Sequence, residues 1–323
     1  MSARNKWLSL SLVVIGFAAL LSGPRPETSR HIASLLRMDL PAPKNPNLHQ
    51  AIYNGNDLAQ EPLGHFPRFL VLIESVTAAG QTSYCTGTAI APDVVLTAGH
   101  CVVGMESLNV KVITNNDPLE FQTIPARAWK HHPQYNGGRE GRMLGEFNEQ
   151  NAHEYKDLGL IVMSSPSSHV EPAALAPRDF DPATQEAWLF VFGPTRDSQY
   201  RITGGLSFAD VQRPRVIGSS KLYVAPVKSG QGWCVRDSGG PVTIAAESAQ
   251  GGQQHYLLGV GFAFFDGFRN GDPADLKKVW GDLNRVPGCG ARVGFTLVGS
   301  EIGWIESTIE ELLPGQPRPL QFY

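Results

Sequence analysis

One stretch constrains this chain more than any other: Gly232-Trp233-Cys234-Val235-Arg236-Asp237-Ser238-Gly239-Gly240-Pro241. A serine lies between an aspartate and two glycines, shortly after a cysteine. A serine hydroxyl is a weak nucleophile by itself. It needs a base within hydrogen-bond reach and donors for the oxyanion that its attack creates. Neighbouring glycines let the backbone approach a substrate with no Cβ in the way. The competing reading is a Gly-Pro turn between strands that contains a serine. The two readings separate on whether the rest of the chain supplies a base and a group to orient it.

Candidates for both are present. Val94-Val95-Leu96-Thr97-Ala98-Gly99-His100-Cys101 is an apolar strand segment that ends on a histidine beside a cysteine. A lone histidine is more often structural than catalytic, but this one sits at a strand tip. Tyr155-Lys156-Asp157-Leu158-Gly159-Leu160-Ile161-Val162 places an aspartate at the start of an apolar run. That carboxylate is either a solvated turn residue or a buried group, and burial would require a hydrogen-bond partner.

The surrounding sequence reads as strands joined by turns. Glycine (34) and proline (24) are plentiful, and helical periodicity is scarce. Strand-like segments lie at Phe69–Ile73, Tyr84–Pro92, Val94–Thr97, Trp188–Phe192, Ile202–Val211, Lys221–Val227, Val242–Ala246, Tyr256–Phe265 and Gly294–Val298. A polar, glycine-rich loop runs from His132 to about Glu154. Ile302, Ile305, Ile309 and Leu312 recur at helical spacing, with Trp304 adding bulk, so Glu301–Leu312 is expected to be an amphipathic helix packed on the strands. Pro314 stops it, and residues 313–323 read as a loose tail.

A net charge of −3 with no long basic run gives no footprint for nucleic acid. Residues 1–23 read as a secretory signal, with Arg4 and Lys6 before the apolar run Trp7–Leu21. The alternative is an uncleaved anchor, which would be the chain's one route to a membrane. Residues 24–51, with Pro24, Pro26, Pro41, Pro43 and Pro46, read as a propeptide or linker, with a short helix at His31–Leu40. Export, to the medium or a periplasm, permits disulfides. Four cysteines allow three pairings, which the residues alone leave open. No Cys-x-x-Cys or His-x-x-x-His spacing supports a metal site.

From Ile52 to about Leu312 the chain resembles the chymotrypsin/trypsin-like serine proteases, on the Thr97-Ala98-Gly99-His100-Cys101 and Asp237-Ser238-Gly239-Gly240-Pro241 motifs. The order His, Asp, Ser matches that family and differs from subtilisin and the α/β-hydrolases. The resemblance implies an all-β fold of two six-stranded antiparallel barrels with a C-terminal helix. It implies Ser238 as nucleophile, His100 as general base and then acid, and Asp157 as the group that orients the imidazole. It places the oxyanion hole at the backbone N–H groups of Arg236 and Ser238. It pairs Cys85 with Cys101 and Cys234 with Cys289, worth about 3 and 4 kcal/mol by loop closure. It makes Ile52 the new amino terminus after cleavage following Ala51, with the freed ammonium buried against Asp237. The implied partners are a protein or peptide substrate and a protein inhibitor. The chemistry needs no metal or organic cofactor.

Three departures from the family shape the expected specificity. The base of the primary pocket falls on Gly232, where trypsin-like members carry an aspartate, so nothing there would neutralise a Lys or Arg side chain. Phe264 and Val293 fall on the pocket walls, where bulk would favour small uncharged P1 residues such as Ala or Val. Ala51 would then itself be a suitable P1 residue. Arg236 stands where glycine is usual at the oxyanion position, and its Cβ is expected to strain that backbone by about 1 kcal/mol. Residues 265–287 form a longer segment than is typical of the family. A homologue that keeps the fold to bind a peptide or protein is the alternative function.

Overall fold

The computed structural model describes residues 52–53, 56–57, 67–116, 119–135, 156–185, 188–196, 202–217, 222–226, 232–234, 236–247, 253–264, 289–290 and 292–322. The signal and propeptide expectations, the helix at 31–40, Ala51, most of the 132–154 loop and the 265–287 segment lie outside them.

Alternation of turn residues and apolar runs gives seventeen strands among the described residues. In chain order these are β1 (Ile52–Tyr53), β2 (Asn56–Asp57), β3 (Leu70–Thr77), β4 (Thr82–Ala91), β5 (Val94–Thr97), β6 (Met105–Asn116), β7 (Leu119–His131) and β8 (Gly159–Met163). They continue as β9 (Trp188–Arg196), β10 (Ile202–Val211), β11 (Arg215–Ile217), β12 (Leu222–Pro226), β13 (Gly232–Cys234), β14 (Pro241–Glu247), β15 (Gln253–Phe264), β16 (Cys289–Gly290) and β17 (Arg292–Leu297). The one α-helix among the described residues, α1 (Ile302–Leu312), follows a 3₁₀ turn at Gly299–Glu301.

Strands β3-β4-β5-β8-β7-β6 close into an antiparallel barrel. Every residue of β5 and β8 is buried, so the usual in-out alternation of a strand is lost there. One face of each strand fills the barrel, and the other is covered by packed chain. The second sheet has the order β11-β12-β17-β15-β14-β9-β10-β2. Among the described residues it is a half-barrel, and the closed barrel, the half-barrel and the C-terminal helix fit the two-barrel fold that the resemblance implied. A small third sheet, β1-β13-β16, pairs Ile52 with Trp233 and Cys234 with Cys289. Strands β6 and β7 have no counterpart among the elements expected from sequence.

Helix α1 packs on the first barrel. Ile302, Ile305 and Ile309 are buried in the same cluster as Leu160, Ile161 and Val162. Burying each isoleucine contributes about 2 kcal/mol. Trp233, Val293 and Phe295, all fully buried, centre a second cluster within the half-barrel.

The tail is held, in contrast to the loose end expected. Leu313 is fully buried. The Leu175 N–H donates to the Gln321 carbonyl at 2.7 Å, and the Arg318 guanidinium grips both oxygens of Asp93 at 2.7 and 2.9 Å. Asp93 is almost fully buried, and a buried carboxylate requires such a partner. Composition and turn propensity after Pro314 carry no sign of this, because the partner lies 225 residues away.

Candidate active site

His100 follows directly from the end of β5. Ala98 is extended, and Gly99–Cys101 turn as a single 3₁₀ unit. Gly99 is required there, since a Cβ would lie 2.9 Å from the Leu158 carbonyl and 3.1 Å from the Asp157 carboxylate. Cys101 bonds to Cys85 of β4 and ties the turn to its neighbouring strand, as the resemblance implied.

Asp157 precedes β8, which pairs with β5 so that Thr97 lies opposite Gly159. That register delivers the carboxylate to the histidine turn. Asp157 Oδ1 accepts the His100 backbone N–H at 2.9 Å, and Oδ2 lies 2.8 Å from His100 Nδ1. Asp157 is therefore the buried alternative of the two sequence readings. The His100 side chain retains 34% of its exposure. With Nδ1 committed to Asp157, the neutral ring carries its lone pair on Nε2, as a general base requires.

Burial pulls the His100 pKa down, but the Asp157 charge and hydrogen bond outweigh it, and the value rises above its ordinary 6.5. The stabilisation from this pair is fully present below the ordinary value and is lost as pH rises through the raised one.

Ser238 lies on a loop stitched to both halves of the molecule. On the first-barrel side its carbonyl accepts the Thr86 N–H at 2.8 Å. On the other side the Gly239 N–H donates to the Gly261 carbonyl at 2.6 Å, and the Gly261 N–H donates to the Gly240 carbonyl at 2.9 Å. Gly239 has φ +86°, and a Cβ on it would fall 2.1 Å from both the Thr86 carbonyl and Thr97 Oγ1. Thr97 and Ala98 lead directly into His100, so this close approach brings the serine loop beside the histidine turn. The Ser238 hydroxyl donates to the Phe262 carbonyl at 3.2 Å.

Arg236 adopts φ +80°, the only positive φ at a non-glycine among the described residues. This is the strained backbone expected from the missing glycine. The peptide that follows it is fixed on both sides: the Arg236 carbonyl accepts from Thr86 Oγ1 at 3.1 Å, and the Asp237 N–H donates to the Cys234 carbonyl at 3.1 Å. The guanidinium lies over the Tyr84 ring at 5.3 Å. Arg236→Gly removes the left-handed penalty, offset in part by glycine's greater freedom when unfolded. It is expected to raise stability by about 1 kcal/mol, read from the urea midpoint.

Asp237 is fully buried, and its Oδ2 accepts the Cys234 N–H at 2.9 Å. The backbone of Ile52 pairs with Trp233, the residue next to Cys234, so the sequence-predicted amino terminus and carboxylate belong to neighbouring chain. Gly232 lies at the start of β13 and is buried. The register of β15 on β17 sets Phe264 opposite Val293, and Val293 is fully buried in one cluster with Trp233. Cys234 and Cys289 face each other across β13 and β16.

Close in sequence to Asp157, Lys156 joins Glu301 and His132 in a cluster not expected from the sequence, and the His132 N–H donates to the Leu158 carbonyl. Glu301 and His132 are more than nine-tenths buried, and their clustering had no local signal because they come from three distant segments.

A closed antiparallel barrel beside a half-barrel, with a Gly-rich serine loop bonded to both and a His–Asp pair next to it, defines a β-barrel hydrolase of the serine-protease superfamily. The family model described as Trypsin matches residues 65–263, and the chain belongs to that family. Members act on proteins or peptides and are typically extracellular.

Proposed function

We propose that this chain is a secreted or periplasmic serine endopeptidase working through Ser238, His100 and Asp157 by way of an acyl-enzyme. The observation that carries the reading is the double hold of Asp157 on His100, through the backbone N–H and through Nδ1. The Ser238 hydroxyl turns from the Phe262 carbonyl towards His100 Nε2 when a substrate carbonyl arrives. His100 takes the proton as Oγ attacks, and the imidazolium is stabilised by Asp157. The N–H groups of Arg236 and Ser238 receive the oxyanion. His100 then returns the proton to the leaving amine, and water reverses the sequence on the acyl-enzyme.

By its likeness to the family, Gly232 would form the pocket base and offer no charge for a basic side chain, and Phe264 and Val293 would fall on the walls, where bulk favours small residues. The proposed P1 preference is therefore small and uncharged. Cleavage after Ala51 would free the Ile52 ammonium to reach Asp237, and the β1–β13 pairing already brings that backbone alongside. The register of β13 on β16 supports a second disulfide between Cys234 and Cys289.

The base must be neutral to accept a proton. The acid limb of kcat/KM is accordingly expected above about pH 6.5, since Asp157 raises the His100 value. A rate profile across the neutral range with a small-P1 peptide checks this; a limb well below that value would contradict the assigned base.

A second reading, a binding homologue without turnover, is supported by the strained Arg236 and by the Ser238 hydroxyl resting on Phe262. Amino-terminal sequencing of the exported protein, wild type beside Ser238→Ala, separates the readings. Wild type alone beginning at Ile52 supports an active protease that cuts after alanine. Both beginning at Ile52 points to a different activator and removes the support for small P1 residues. If neither does, the chain is either a zymogen awaiting its activator or a binding protein, and a serine-directed phosphonate probe applied after activation decides: absence of covalent labelling at Ser238 favours the binding reading.

A further inference from the structure

We propose that Glu301, Lys156 and His132 form a positioning device for Asp157, which holds the main chain carrying the carboxylate and so sets the orientation of His100. This rests on the triad reading above. Glu301 stands at the last residue of the 3₁₀ turn before α1 and is buried. Lys156 Nζ reaches both its oxygens, at 2.8 and 2.9 Å. His132 Nε2 lies 3.3 Å from Oε2, and Ser300 Oγ donates to Oε1 at 2.9 Å. His132 Nδ1 accepts the Gln134 N–H at 3.1 Å, so the ring proton sits on Nε2 and is directed at Glu301. Trp304 of α1 packs against the same ring, with centroids 4.9 Å apart.

The main chain closes the connection to the triad. The His132 N–H donates to the Leu158 carbonyl at 2.8 Å, and the Leu158 N–H donates to the Lys156 carbonyl at 2.8 Å. Asp157 is the residue enclosed between these bonds. Its two oxygens face His100, so its carboxylate depends on the backbone at 156–158 for its aim. One side of that backbone is anchored through Lys156 to Glu301, the other through His132 to the same carboxylate.

A buried ion pair is poor evidence for stability alone, because desolvation offsets much of the attraction. What it supplies is a fixed geometry. Burial pushes the Glu301 pKa up, but donation from His132, Lys156 and Ser300 prevails and holds it below the ordinary range. The carboxylate therefore stays charged throughout the range in which His100 titrates.

The test uses the processed protein and the variants Glu301→Gln, Lys156→Met and Asp157→Asn. Glutamine keeps the shape but presents an amide donor to groups that already donate. Three quantities are read: kcat and KM, the acid limb of kcat/KM, and the proton resonance of His100 Nδ1–H, which does not depend on turnover. Expected are a fall in kcat of about 10- to 100-fold at constant KM, an acid limb moved down towards the ordinary histidine value, and a shifted Nδ1–H resonance. Glu301→Asp should recover part of each. If Glu301→Gln fails to fold, Lys156→Met carries the test, because that side chain is partly exposed. A loss of thermal stability with kcat, acid limb and resonance all as in wild type overturns the proposal. A resonance that moves in Asp157→Asn but not in Glu301→Gln or Lys156→Met does the same while leaving the triad standing. A wild-type resonance that Asp157→Asn does not alter removes the triad reading, and this proposal with it.

Discussion

Asp157→Asn is expected to lower kcat about 10⁴-fold with little change in KM, the size of the effect that the same substitution has in serine-protease triads. The geometry accounts for the direction. Oδ2 receives the proton on His100 Nδ1, and Oδ1 receives the His100 backbone N–H. An asparagine can keep only one of these as an acceptor. If its NH₂ faces Nδ1, the ring is driven to carry its proton on Nε2, where it cannot accept from Ser238. The imidazolium also loses its counter-charge, so the His100 pKa should fall from its raised value. Steady-state kinetics on a small-P1 peptide, together with the acid limb, measure both effects. A kcat within tenfold of wild type would exclude Asp157 from the orienting role.

Gly239→Ala is expected to destabilise the protein by about 3–5 kcal/mol and to abolish turnover. Two effects add. The residue adopts φ +86°, which costs an L-side chain about 1–2 kcal/mol. The new methyl would sit 2.1 Å from the Thr86 carbonyl and from Thr97 Oγ1. The first of these is backbone of β4, and Thr97 Oγ1 is itself bonded to the Thr86 carbonyl at 2.8 Å, so neither can yield cheaply. The loop would have to withdraw from the first barrel and carry Ser238 away from His100. Urea denaturation gives the stability change, and phosphonate labelling reads the loss of the nucleophile. A variant of near wild-type stability that still labels at Ser238 would mean that the loop tolerates a position the geometry rules out.

Much of the fold is legible in the sequence where apolar runs are bounded by strong turn residues. Strand β10 coincides with the predicted Ile202–Val211 segment, and α1 begins within one residue of its expected start. Strands β6 and β7 are the counter-example. In β6, Leu108, Val110 and Val112 alternate with Asn109 and Lys111, a period of two with one face polar. That alternation was a usable signal, though weaker than the continuous runs of β5 and β8. In β7, Pro125 and scattered polar residues blur even this.

The sequence by itself determined which side chains are available to the site and in what order, since His100, Asp157 and Ser238 sit in local motifs whose turn chemistry is encoded within a few residues. The resemblance to the family implied that Arg236 would be strained, because only glycine occupies a left-handed position without penalty, and the structure gives it φ +80°. Tertiary structure alone decided what each group touches. The Ser238 hydroxyl rests on Phe262, Thr86 holds the Arg236 carbonyl across 150 residues, and Glu301 closes on Lys156 across 145. It likewise decided that Arg318 pins the tail to Asp93. The physical reason is that periodicity and turn propensity describe a chain's neighbours along its own length. A hydrogen bond or ion pair depends on which distant segments the closed barrel and the second sheet bring to the same point.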